Sequence, residues 1–159
     1  VTRILGVDPG LVKTGWGVID AKGQQASFVA CGMIRPDVKA PLADRLLQLH
    51  EGLQAVIAQY QPVTAGLEET FVNVSGQSTL KLGQARGAIL LSLRSAGLSV
   101  GEYAPNQIKK SITGMGKAGK DQVAMMVMTL LPQGRPAIEK AGEDARDALA
   151  VALTHSSFM

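Results

Sequence analysis

The chain has 159 residues, 46% of them hydrophobic, with 16 basic and 13 acidic residues and a net charge of +3. That length and apolar content suit one globular α/β domain over residues 1–159, with a core of its own. A single cysteine, Cys31, excludes an internal disulfide, and without a signal-like leader or an apolar run of about 18 residues the expected location is the cytoplasm.

Residues 3–8 are a β-rich run that ends in Asp8 before Pro9-Gly10, and 15–20 and 26–35 follow across turns marked by Pro9-Gly10 and Lys22-Gly23. Three antiparallel strands are therefore expected. From Pro41 the period changes: Leu42, Leu46, Leu49, Leu53, Val56 and Ile57 recur at helical spacing, with a stop near Gln61-Pro62. Residues 63–69 read as a strand. Residues 78–98 have a helical period but are apolar nearly all round after Gly87, which fits either a core helix or a subunit interface. A strand over 98–103 and helices over 106–113, 121–131 and 143–156 complete the order. The sum is a mixed sheet, three antiparallel strands followed by parallel ones, flanked by helices.

Strands joined by a helical crossover, such as 3–8 and 63–69, lie parallel and adjacent, and ligands in such sheets collect at the carboxyl ends of the parallel strands. Asp8 and Glu68 are both at such ends. Alternation puts Leu5 and Val7 on one face and Ile4, Gly6 and Asp8 on the other; in the second strand Thr64, Gly66 and Glu68 oppose Val63, Ala65 and Leu67. If the bulkier faces share one helix layer, Asp8 and Glu68 emerge together opposite it, and Glu69 points away.

In "GEDARDALAVALTH", Asp144 and Asp147 are three apart, side by side on a helix, ahead of the small and apolar Ala148, Val151 and Ala152. A first-turn acid is explained by the helix dipole alone, which accounts for Glu143 and Asp144 but not for Asp147. Carboxylates within about 4 Å repel by about 4 kcal/mol per pair at an effective dielectric of about 20, so such a group needs protons or cations. Oxygen-only ligands suit Mg²⁺ or Mn²⁺ rather than zinc.

With these four acids set aside, 9 acidic residues remain against 16 basic ones. "NQIKKSITGMGKAGK" holds Lys109, Lys110, Lys117 and Lys120 with no acid, a pattern suited to phosphate. Lys81 and Arg86 are expected to face a polyanion or solvent. His155, in the last turn of its helix, is where a cation favours the dipole, and neither it nor His50 has metal-ligand spacing. Met125, Met126 and Met128 read as core filling.

"LGVDPGLVKTGWGVI", "LEETF", "LKLGQARG" and "DARDALAVALTH" together resemble the RuvC-type Holliday-junction resolvases, which have a ribonuclease H-like fold. The resemblance runs in order over nearly the whole chain. It implies catalytic, metal-binding carboxylates at Asp8, Glu68, Asp144 and Asp147, and two Mg²⁺ ions per site for which Mn²⁺ substitutes. One ion activates water and the other stabilises the departing 3′ oxygen. It further implies a homodimer joined through the "LKLGQARGAILLSLRSAG" helix, four-way junction DNA as substrate, and the branch-migration proteins RuvA and RuvB as partners. Lys109 and Lys120 match basic positions near the reacting phosphate, Lys117 joins them as a DNA contact, and Phe71 matches an aromatic that stacks at the junction centre. Three other readings compete. An actin-like ATPase would need a second domain, another ribonuclease H-like nuclease would use the same acids on a different substrate, and a non-catalytic junction binder would be expected to have lost one of them.

Overall fold

The computed structural model describes residues 1–69 and 75–159. Strands β1 (Thr2–Asp8), β2 (Thr14–Lys22) and β3 (Gln25–Ile34) form an antiparallel meander, with Gly6 opposite Gly17 and Asp8 opposite Gly15. Helix α1 (Leu42–Tyr60) stops where Gln61 takes a left-handed conformation (φ 53°) and donates its N–H to the Ile57 carbonyl at 2.8 Å, ahead of Pro62. Strand β4 (Thr64–Glu68) returns parallel to β1, pairing Ile4 with Thr64 and Val7 with Leu67. Helix α2 (Gly76–Ser95) starts at Ser75, whose hydroxyl accepts from the Ser78 N–H at 3.1 Å. Strand β5 (Ser99–Tyr103) lies parallel to β4, giving the order β3-β2-β1-β4-β5. The chain then runs through α3 (Pro105–Thr113), α4 (Lys120–Leu130), α5 (Arg135–Ala141) and α6 (Glu143–Phe158). The fold is the α/β mixed sheet expected, with three antiparallel strands followed by parallel ones.

Alternation along the strands separates two apolar layers. Leu5, Val7, Ala65 and Leu67 pack with Leu49 and Leu53 of α1 and Ile89 and Leu93 of α2. Ile4 and Ile19 pack on the opposite face with Leu149, Val151 and Ala152 of α6, together with residues of α3, α4 and α5. The acid-bearing α6 therefore covers the face from which Asp8 and Glu68 project, as alternation requires.

Two glycines set how closely α6 approaches. A Cβ on Gly6 would lie 2.0 Å from the Ala148 carbonyl oxygen, and one on Gly15 would lie 2.1 Å from that of Asp144. Both distances are far inside van der Waals contact, so the helix backbone occupies space that any other residue would fill.

One element was not expected from the sequence, and for another, one of two alternatives falls away. Helix α5 was not anticipated, residues 132–142 having been assigned no element; Pro136 falls in its first turn, where no backbone donor is needed, and the helix buries Ile138. Helix α2 buries only one side, through Leu82, Ile89, Ser92 and Leu93, and leaves Leu80 and Leu91 61% and 70% exposed. It is not a core helix.

Candidate active site

Asp8 closes β1, Glu68 closes β4, and Asp144 and Asp147 come from the first turns of α6. Carboxyl oxygens of Asp8, Asp144 and Asp147 all lie within 4.8 Å of one another. Glu68 joins them through a side-chain hydrogen bond to Asp8 and is near enough to Asp147 to disfavour its charge. Glu69, one residue on, instead donates its backbone N–H to the Tyr103 carbonyl at 2.8 Å. Of the Glu-Glu pair, Glu68 and not Glu69 lines the cleft beside Asp147.

The electrostatics of the group follow from its burial and from like charge. Burial, the hydrogen bond to Glu68 and the charges of Glu68, Asp147 and Asp144 push Asp8 far above the usual carboxylate range. Asp147 is raised to about 6, mainly by burial, with Lys120 opposing the rise and Glu68 and Glu143 adding to it. Without a cation, then, the centre holds protons where a divalent ion would otherwise balance the charge. Its donors are all carboxylate oxygen, converging from three backbone elements, a set that fits hard divalent ions.

Cations surround the acids rather than penetrate them. Lys109 of α3 and Lys120 of α4 line a cleft with Glu68 and Asp147, floored by Ile108 and Val123. Lys120 also pairs with Glu143, which raises the lysine pKa and lowers that of the glutamate. Lys117 is exposed on the loop between α3 and α4, outside this lining. Phe71 lies outside the described residues.

Sequence reasoning missed Lys13, whose Nζ lies 3.3 Å from an Asp144 oxygen. Its signal was its place in the short loop that follows Asp8. It also left Arg86 to a polyanion or solvent, whereas its guanidinium is mostly covered, donating to the Glu68 main-chain carbonyl and pairing with Glu102 of β5. Arg86 is in helical phase with the buried Leu82, Ile89 and Leu93, and that phase was readable. His155 is not a cation serving the helix dipole. It is buried, with Nε2 2.7 Å from the Thr64 hydroxyl and Nδ1 2.5 Å from the Tyr103 hydroxyl, and burial lowers its pKa, favouring the neutral ring. It ties α6 to β4, which carries Glu68, and to the neighbouring β5.

A mixed sheet whose two central parallel strands each end in an acid, covered by a helix that adds two more, defines the ribonuclease H-like nuclease class. Solved structures agree. Thermus thermophilus RuvC in complex with Holliday junction substrate matches with a TM-score of 0.88 and 30% identity, over 99% of this chain and 94% of that one. The yeast mitochondrial Holliday junction resolvase Ydc2, at 13% identity and a TM-score of 0.73, shares the fold. The family model described as crossover junction endodeoxyribonuclease RuvC matches residues 4–155. Proteins of that description from Azorhizobium caulinodans and Paramagnetospirillum magneticum are 54% and 56% identical over 97% of this chain, covering 89% and 90% of their own lengths. The chain belongs to the RuvC family and is a nuclease hydrolase. Nucleases of this type are metal-dependent, and Asp8, Asp144 and Asp147 supply the acidic cluster that such dependence requires. Among the described residues, no helix is long and apolar enough to cross a membrane.

Proposed function

We propose that this chain resolves four-way (Holliday) DNA junctions in recombination and repair. It acts as a cytoplasmic homodimer of one nuclease domain per subunit, and each subunit nicks one of two opposed strands to leave 5′-phosphate and 3′-hydroxyl ends. The observation that carries the reading is the convergence of Asp8, Asp144 and Asp147, with Glu68 beside them, in a cleft walled by Lys109 and Lys120.

Asp8, central among the acids, would bridge two Mg²⁺ ions, with Mn²⁺ able to substitute, and Glu68, Asp144 and Asp147 would complete their coordination. When bound, such a pair supplies Lewis acidity to both the attacking and the leaving oxygens of an in-line displacement. The chain's own residues do the rest. Asp8 and Asp147, protonated more readily than ordinary carboxyls, release protons as the cations arrive. Lys109 and Lys120 hold the phosphate of the strand to be cut, with Lys117 and Phe71 as further DNA contacts. The Gly15 and Gly6 approaches keep α6 in register, so that Asp144 and Asp147 stay aimed at Asp8. The open side of α2, with Leu80 and Leu91 exposed, supports dimerisation through that helix. RuvA and RuvB are the partners expected to deliver the junction.

The test compares a mobile four-way junction, a linear duplex of the same sequence and an RNA:DNA hybrid, each with Mg²⁺, Mn²⁺ or EDTA. Paired symmetric nicks are expected on the junction alone and not in EDTA. Asp8→Asn is expected to lower nicking by at least about 100-fold while leaving junction binding in place. Cleavage of the hybrid alone would reassign the substrate, and retained cleavage by Asp8→Asn would remove that residue from the chemistry.

A further inference from the structure

A second cavity opens on the other side of the Asp8 loop, over the layer formed by α1 and α2. Lys13 of the loop, Arg45 of α1 and Lys81 of α2 line it, and the apolar Leu11, Val12 and Leu42 are part of the same wall. Among the described residues, no acid lines it.

Three features make this more than a solvated surface. The cations come from three separate elements yet meet at one cavity, which chance lysines on one helix face do not do. Two of them have unused hydrogen-bonding capacity: the Arg45 Nε is buried without a partner, its Nη2 alone being engaged, with the Leu11 carbonyl at 3.2 Å, and Lys81 makes no hydrogen bond or ion pair among the described residues. The rim is apolar as well as basic, for Leu11, Val12 and Leu42 are 41%, 57% and 41% exposed. The cavity itself, about 40 Å³, is too small to enclose a nucleotide; its basic and apolar rim instead suits a strand lying across it, with a phosphate on the cations and a sugar or base edge against the aliphatic groups.

The cavity also adjoins the acids. Lys13 belongs to both, since it lines the cavity and its Nζ lies 3.3 Å from Asp144. Lys13 thus links the two, so a strand whose phosphate lies over the acids meets it on the way to this cavity.

We infer that this cavity is a binding subsite for a DNA nucleotide flanking the scissile phosphate, with Arg45 and Lys81 contacting the backbone and Leu11 and Val12 packing against the sugar or base. The inference rests on the junction-nuclease reading above. Because backbone contacts carry no sequence information, any base preference at this position would come from the apolar wall.

The experiment measures junction binding in EDTA by fluorescence anisotropy across a salt series, for the wild type, Lys81→Gln, Lys81→Arg and Arg45→Gln. Lys81→Gln is expected to bind several-fold more weakly and to reduce the slope of log affinity against log salt by about one, with Lys81→Arg restoring the slope. Arg45→Gln should behave as Lys81→Gln does; Lys81 keeps the test valid if loss of the Leu11 contact disturbs the loop. In parallel, 5-bromo-2′-deoxyuridine placed at each position near the cut is crosslinked by light, and a crosslink to Leu11 or Val12 from a flanking position is expected. A wild-type protein that neither binds nor nicks the junction would overturn the functional reading itself. A wild-type protein that does both, with slopes unchanged in the variants and no crosslink in the Leu11–Lys13 loop, would overturn the subsite alone.

Discussion

Gly15→Ala tests whether the distance between sheet and helix sets the geometry of the acids. Gly15 pairs with Asp8 across the β1–β2 ladder, and its added methyl would point at the backbone that carries Asp144, 2.1 Å from the carbonyl oxygen and 2.4 Å from the carbonyl carbon. Ordinary contact needs roughly 3.5 Å, so α6 must retreat by about 1 Å or more at the turn that presents Asp144. Gly15 is not among the positive-φ glycines, so the clash acts without backbone strain. Overpacking of this kind costs about 1–3 kcal/mol, offset by about 0.4–1 kcal/mol from the stiffer unfolded chain. The net loss of about 1–2 kcal/mol corresponds to a Tm lower by roughly 2–8 °C for a chain of this size. Nicking should fall far more than stability, by about 100-fold, because a shift of about 1 Å in a reacting group has that effect. Urea unfolding, single-turnover nicking of a junction in Mg²⁺ and junction affinity in EDTA separate the three terms: stability slightly reduced, cleavage greatly reduced, binding retained. Wild-type cleavage in a folded Gly15→Ala protein would show that the close approach of α6 does not set the site.

The metal-free protein should lose stability as pH rises. Asp8 and Asp147 both have folded pKa values above the unfolded value near 4, so the folded state keeps protons that the unfolded state has released; the loss runs through about pH 6 for Asp147 and continues higher for Asp8. Thermal scans in EDTA from pH 6.5 to 9 should show a falling Tm that Mg²⁺ reverses and Asp8→Asn flattens, whereas a level profile in the wild type would refute the shift. Arg86→Gln removes the clamp on the Glu68 carbonyl and the pair with Glu102, and should lower stability by about 1–3 kcal/mol. It should lower the nicking rate about tenfold with junction affinity unchanged, an effect of Glu68 placement that Arg86→Lys should partly restore; an unchanged rate would make Arg86 a purely structural tie.

What the sequence disclosed was whatever depends on local period. Alternation in "ILGVD" and "TAGLE" was enough to put Asp8 and Glu68 on one face and to reject Glu69, and helical spacing paired Asp144 with Asp147. The parallel β1–β4 pairing followed from the crossover between them. Features that depend on distant parts of the chain were hidden. Arg45 and Lys81 are 36 positions apart and meet only because α1 and α2 pack side by side over the Asp8 loop. Helix α5 was left unassigned: at seven residues it is short, and it begins at Arg135-Pro136, where proline suits a first helical turn but gives no period to read. The sequence left His155 without a role, noting only that a cation suits the last helical turn, because its partners Thr64 and Tyr103 lie 91 and 52 positions away.

The positions of the lysines bear on how the acids can be both stable and ready for metal. A lysine placed among Asp8, Asp144 and Asp147 would neutralise them but exclude divalent ions. The nearest cations are instead peripheral and partly exposed: the Lys13 and Asp144 side chains are 46% and 32% accessible, and those of Lys120 and Glu143 are 70% and 49% accessible. Exposed pairs of this kind are worth at most about 1 kcal/mol, so each breaks at little cost. Protons, not lysines, relieve the buried repulsion, and protons are displaced by metal without any movement of the chain. Asp144 would hold an ion in place of its pair with Lys13, which would leave Lys13 available to the cavity it already lines, and Lys120, exposed beside Glu143, would be available to a phosphate. Metal loading and strand capture thus draw on the same few side chains. The two should be cooperative, with divalent ions raising junction affinity in the wild type and this gain reduced when Lys13 is replaced.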